Sequence, residues 1–273
     1  MNRLIILFLI LPACLIPACK PEQYTDLEKR VIDAANSQSI LIQVDFGEVT
    51  VLESEDHQVE VGGQALSVDD VEYQVNLTDK QILIKTHLQG ISSSDMPVRL
   101  QVRIPKDMLV KVETDNASVF VPKYQGDLEV ASTSGNITVE QMLGKLTLRS
   151  NRGNIVVRES TGIISVVGNY GALTLQNVSG ETAASTIMGN VVFGGLVQMG
   201  DNVRLETDHG SVSVNLGSDS ALNVQVRSTS GDVACMLPDI TSSTRTCDGE
   251  VSSGGGLLSI RTVSGAVTLQ SIP

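Results

Sequence analysis

Side chains able to do chemistry are few in this sequence and poorly grouped. Three histidines stand among 273 residues, and only His209, in Asp208-His209-Gly210, occupies a place that recurs along the chain. Other repeats put Ser, Arg, Tyr and Met there, which reads as a solvated turn position. No His-Glu-x-x-His, Gly-x-Ser-x-Gly elbow or phosphate-cradling glycine loop is present. A glycan-cleaving pair of carboxylates would show as acids recurring in one outward column, and they do not. Four cysteines remain. Cys14 and Cys19 each end an apolar tetrapeptide, Leu11-Pro12-Ala13-Cys14 and Ile16-Pro17-Ala18-Cys19, a context that suits acylation of the thiol. Cys247 lies in a polar loop beside Thr246 and Asp248, where an exported protein tolerates a disulfide better than a free thiol. Cys235, twelve residues earlier, could be a small buried hydrophobe or the partner of Cys247. The expectation is a Cys235–Cys247 bond pinning the insertion over 238–256.

The first residues read as a leader. Arg3 gives a positive start, and Leu4 to Ile16 is apolar but short for a bilayer span. Cys14 lies inside the apolar run, whereas polar Lys20-Pro21-Glu22 follows Cys19. This points to a lipoprotein-type signal peptide over 1–18 and a lipid anchor at Cys19; an ordinary signal peptide is the alternative. The expected location is the cell envelope, exported and membrane-anchored, at the periplasmic face of a bacterial outer membrane or the cell surface. With 31 acidic and 19 basic residues the net charge is −12, a surface that repels phosphate backbones and argues against nucleic acid as a partner.

The elements that would position these groups announce themselves through glycine. Gly126, Gly135, Gly144, Gly153, Gly162, Gly171, Gly180 and Gly189 recur every nine residues. Each opens an alternating run such as Gly-Asp-Leu-Glu-Val at 126 or Gly-Asn-Ile-Thr-Val at 135, the mark of a strand with one buried face. Two such units make an 18-residue coil. Leu128, Leu146 and Ile164 would then stack, as would Ile137, Ile155, Leu173 and Val191, and Val139, Val157, Leu175 and Phe193. The fold class is therefore all-β, a parallel β-solenoid with two strands per coil. Antiparallel hairpins would need alternating two-residue turns, which are missing.

Before the repeat, 19–38 reads as a polar tether with a brief helix near Leu27–Ile32. Residues 39–113 read as a less regular β region capping the solenoid, with loops over 64–70 and 88–96. The solenoid itself is assigned to 114–273. Beyond Gly189 the spacing loosens to Gly210, Gly231 and Gly265, with the last units closing the repeat.

A strand ending in Ile104-Pro105, then Leu109-Val110-Lys111-Val112-Glu113-Thr114, then successive Ser-Gly-Asn-Ile-Thr-Val units, resembles the bacterial DUF4097 family, also known as an adhesin-type β-strand-repeat family. The resemblance covers roughly 39–272. It implies an envelope β-solenoid protein and brings no catalytic residues.

The glycine spacing also occurs in calcium-binding β-rolls, but those need Gly-Gly-x-Gly-x-Asp at every turn, so no cofactor or metal is expected. Aromatic residues make up 3% of the chain and tryptophan is absent, which disfavours a lectin. Two polar ladders, Ser132, Ser150, Thr186, Thr207, Ser228 and Thr262 on one side of the glycines and Asn136, Asn154 and Asn190 on the other, read as partners for corner backbone groups. The outward positions Thr138, Val156, Thr174, Val192 and Ser213 form an uncharged strip, the candidate docking surface. The expectation is a non-enzymatic binding or adhesion scaffold held to a membrane by an N-terminal lipid, its partner an unidentified protein or envelope polymer. A regulatory component that senses or sequesters a partner is the alternative, and a glycan-active envelope enzyme the third reading.

Overall fold

The computed structural model describes residues 24–272 except 67–70, 79, 89–97 and 239. The leader, Cys14, Cys19 and most of the two loops expected near 64–70 and 88–96 lie outside the described residues.

The N-terminal third carries β1 (Thr25–Asp26), β2 (Arg30–Asp33), β3 (Ser39–Ser54), β4 (Gln58–Ala65), β5 (Val71–Leu77), β6 (Gln81–Leu88), β7 (Val98–Pro105) and β8 (Leu109–Val121). The regular repeat follows as β9 (Tyr124–Ser132), β10 (Ile137–Glu140), β11 (Met142–Arg152), β12 (Ile155–Arg158), β13 (Thr161–Tyr170), β14 (Leu173–Val178), β15 (Thr182–Met188), β16 (Val191–Gly195), β17 (Asn202–His209) and β18 (Val212–Gly217). The last group is β19 (Leu222–Ser228), β20 (Val233–Met236), β21 (Ile240–Ser242), β22 (Thr246–Val251), β23 (Gly256–Ser264) and β24 (Val267–Ile272).

In the repeat each coil gives one long strand and one short strand, and like stacks on like in parallel. Leu146 sits between Leu128 and Ile164. Ile155 sits between Ile137 and Leu173, and Leu175 between Val157 and Phe193. All of these side chains are buried. The columns expected from the 18-residue period are thus the core. The core is narrow and mostly aliphatic, with Tyr124 and Phe193 its largest fully buried side chains. The Tyr124 hydroxyl donates to the Met108 carbonyl at 2.6 Å. Burial raises the pKa of this phenol well above the ordinary tyrosine value.

Close approach explains the nine-residue glycine spacing. A Cβ on Gly144 would lie 2.3 Å from the Gly126 carbonyl oxygen, and one on Gly153 would lie 2.3 Å from that of Gly135. The two glycine columns are where backbones of successive coils nearly touch, and no other residue fits.

Rung order in space departs from chain order at both ends. The first half of β3 pairs in parallel with β6 on one side and β8 on the other, and its second half lies between β7 and β8. At the other end β23 lies between β17 and β19, and β24 between β18 and β20. The last strands therefore do not close the stack, as the sequence suggested. They are inserted one rung in from the end, at an offset of 55 residues (Arg204 against Ser259). In space the rungs run β6/β7, β3, β8, β9/β10, β11/β12, β13/β14, β15/β16, β17/β18, β23/β24 and β19/β20. Nine spacings at ~4.8 Å give a stack about 43 Å long.

Antiparallel strands cover most of both ends, which blunts edges that would otherwise pair with other chains. β4 lies on β7 and β5 on β6, while β22 lies on β19 and β21 on β22. The helix expected near Leu27–Ile32 is instead strand β2, antiparallel to β4 through Ile32 opposite Val59. The reason is local: β-branched Val31 and Ile32 favour a strand, and the β4 edge is there to receive it. Leu27 and Ala34 are buried on either side.

Candidate functional site

The short strands form one flat wall of the solenoid, and their central outward residues make a row. Thr138, Val156, Thr174, Val192 and Ser213 are consecutive register partners. The structure lengthens this row in both directions. Phe120, Thr50 and Gln101 continue it toward the N-terminal rungs, and Thr268 and Ala234 toward the C-terminal ones. Ten rungs thus present ten uncharged side chains in line, on a protein of net charge −12. The 18-residue period could have found Phe120. The other additions come from strands with irregular offsets, which the period does not reach.

Stacking geometry gives one reason for this composition. Like charges ~4.8 Å apart repel by about 0.9 kcal/mol even in bulk water, whereas β-branched and hydroxyl side chains pack along a parallel ladder. Phe120 is 40% exposed and stands out from the row. On one flank run Asn136, Asn154 and Asn190. The Asn136 Oδ1 accepts the Asn154 N–H at 2.9 Å, and the Asn154 Oδ1 accepts the Ala172 N–H at 2.9 Å. The Asn190 Oδ1 does the same for Ser211. On the other flank Arg158 bridges Glu140 on the rung below and Gln176 on the rung above.

The serine and threonine ladder faces inward at the corners. The Ser132 Oγ accepts the Gly135 N–H at 2.7 Å, and the Ser228 Oγ accepts that of Gly231 at 2.8 Å. The Thr207 hydroxyl donates to the Gly189 carbonyl at 3.0 Å, one coil away. These hydroxyls serve the backbone. Thr186 is the exception: its buried Oγ1 has no hydrogen-bond partner among the described residues, and its register partner below is Gly168, which has no side chain to offer.

Cys235 and Cys247 form the expected disulfide, with Cα atoms 6.5 Å apart. Cys235 is on β20, the outermost short strand, and Cys247 is on β22, the strand covering β19. The bond therefore ties the two walls together across the end of the stack.

Other groups are less promising as sites. His209 lies at a corner with its Nδ1 2.8 Å from the Ser264 Oγ on the next rung; the histidine is exposed and the serine half-buried. An open groove of about 610 Å³ runs over the long-strand wall, floored by Ala131 and bordered by Asp45, Lys85, Glu113, Asp115 and Arg149. Its acids are distributed among neutral and basic partners: Gln43 donates to Glu113 at 2.8 Å, and His87 contacts Asp45. Among the described residues no group of three or more His, Cys, Asp or Glu is placed to hold a metal ion.

Stacked two-wall coils, glycine contact columns and an uncharged row along one wall define a parallel β-solenoid. The Toastrack DUF4097 family model matches residues 37–270, and the chain belongs to that family. A search of curated proteins returns no match. Among solved structures, the chain is similar to a candidate adhesin from Bacteroides fragilis, at 13% identity and TM-score 0.54, over 92% of this chain and 99% of that one. It is also similar to a candidate adhesin from Parabacteroides distasonis, at 11% identity and TM-score 0.44, over 91% and 98% of the two chains. These likenesses concern the fold.

Proposed function

We propose that this chain is an envelope-anchored lipoprotein acting as a non-enzymatic binding or adhesion scaffold. Acyl chains on Cys19 hold it to a membrane, and the row from Gln101 to Ala234 through Thr138, Val156, Thr174, Val192 and Ser213 is its docking surface. The observation that carries this reading is the row itself: an uncharged line across every rung of an acidic molecule, backed by a rigid wall. A partner protein or envelope polymer lying along the solenoid axis would meet side chains at ~4.8 Å intervals without displacing any charge. Family membership and the likeness to candidate adhesins support a binding role.

Two measurements test it. Cys19→Ser should move the protein from the salt-washed membrane fraction to the soluble fraction, because acyl chains contribute about 0.8 kcal/mol per buried CH₂. A photo-crosslinking residue at Thr174 should capture a partner in intact cells, and Val156→Arg should abolish that capture while changing stability by less than about 1 kcal/mol. Retention of the Cys19 variant on membranes refutes the anchor. Unchanged capture in the Val156 variant refutes the docking row.

A further inference from the structure

The inserted rung β23/β24 is the least expected feature of the stack. Both of its edges are paired in parallel. Ser259 faces Arg204 on one side and Gln225 on the other, and Thr268 faces Ser213 and Ala234. Leu258, Ile260, Thr262, Val267 and Leu269 are buried within it. The slot that receives it has one wall in the main stack and one in the end unit β19–β22, which the Cys235–Cys247 bond and the β19–β22 pairing hold as a piece.

The link from β22 to β23 has to cross the end of β19. Val251 and Gly256 both flank Leu222, one from each side, so they lie two strand spacings apart, about 9.6 Å. The crossing is made by four successive residues with positive φ: Ser252 (50°), Ser253 (67°), Gly254 (70°) and Gly255 (124°). Two of these are not glycine, and L side chains disfavour that region. An extended link would relieve this strain.

From these observations we infer that the slot is an exchange site for a second copy of this chain, occupied in cis in the monomer and by the partner copy's β23/β24 in a dimer. Every contact the rung makes within its own chain is available unchanged from another copy, and the only difference is the course of the link at 252–255. This is the condition for low-cost strand exchange. Spontaneous exchange is slow, because leaving the slot breaks four strand pairings at once. The occupant is a second copy because the slot already fits this rung, whose corner glycine, Gly265, packs between Gly210 and Gly231 and whose strands match both neighbours in register.

Deleting Ser252–Gly254 tests this. The remaining link, Val251-Gly255-Gly256, spans two Cα steps, about 7.6 Å, which is too short to cross β19. The full chain carrying this deletion should run at twice the monomer mass by light scattering. With Arg204→Cys and Ser259→Cys added, it should form a bond between chains on non-reducing gels. A folded monomer with that bond formed within one chain overturns the proposal. Should the deletion prevent folding, a second measurement decides. Full-length chains bearing Arg204→Cys alone and Ser259→Cys alone are mixed, warmed to the melting midpoint, cooled and oxidised. Only an exchanged rung brings residue 204 of one copy beside residue 259 of another. A mixed covalent dimer, in excess of that given by an exposed cysteine pair elsewhere, is expected; its absence overturns the proposal.

Discussion

At the scale of single residues, the fold depends on atoms that are missing as much as on those present. Gly144 has φ +135° and no room for a Cβ, since the Gly126 carbonyl oxygen would be 2.3 Å away. Gly62 has nothing within 4 Å of the same point. Gly144→Ala should therefore destabilise the protein by roughly 3 kcal/mol or more, through strain in two coils. Gly62→Ala should fall within about 1 kcal/mol of wild type. Equilibrium urea unfolding of both variants checks the contrast, and equal effects would mean that the glycine columns are not contact points. The columns were legible in the sequence because this constraint repeats at a fixed interval. Tyr73 was not legible: its buried hydroxyl has no partner among the described residues, and burial pushes its pKa up to about 12, but nothing around it repeats.

At the scale of elements, the disulfide joins β20, the outermost short strand, to the cover of the long-strand wall. β20 has four residues and one paired neighbour, β24, so the bond restrains an element with little other support. Closing this short loop contributes about 3 kcal/mol in the chain-entropy model. The variant with both Cys235 and Cys247 changed to Ser should lose about that much in a calorimetric melt. Hydrogen exchange in that variant should rise first over 233–251, while the amides of β11 and β13 keep their protection. Uniform loss across all rungs would contradict a local role. The bond was legible because the polar neighbours Thr246 and Asp248 read as a loop, where a thiol is more stable paired than free in an oxidising compartment. The structure instead puts Cys247 on β22 and buries it, with Cys235 the more exposed partner. The placement of β3 and β23/β24 was not legible. An offset of 55 residues at one end, and a strand of sixteen residues lying between β6/β7 and β8 at the other, leave no period to follow. A strand's alternation also does not say which edge it joins.

At the scale of the whole molecule, the solenoid is a sum of nearest-neighbour interfaces, and the period itself can be tested. Removing 143–160 takes out one 18-residue coil and joins Met142 to Thr161. Thr161 and Gly162 are the register partners of Leu143 and Gly144, so every later residue keeps its face. Gly162 would meet Gly126 as Gly144 does now, and Ile164 would cover Leu128. This variant should fold, melt cooperatively, and lose roughly a tenth of its denaturant m-value, since one rung of ten no longer contributes exposed surface on unfolding. Removing 143–161 takes away one residue more. Ile163 would then stand at the place of Gly144, with its side chain aimed at the Gly126 carbonyl, and Ile164 would turn outward. The alternative would shorten a corner that consists of Gln141 alone, a residue already at φ +46°. The 19-residue deletion should be unfolded or strongly destabilised, by circular dichroism and urea titration, under conditions where the 18-residue deletion remains native. Equal tolerance of the two deletions would show that the coils are not locked in register, and that the uncharged row at Thr138, Val156 and Thr174 is not held straight by the columns behind it.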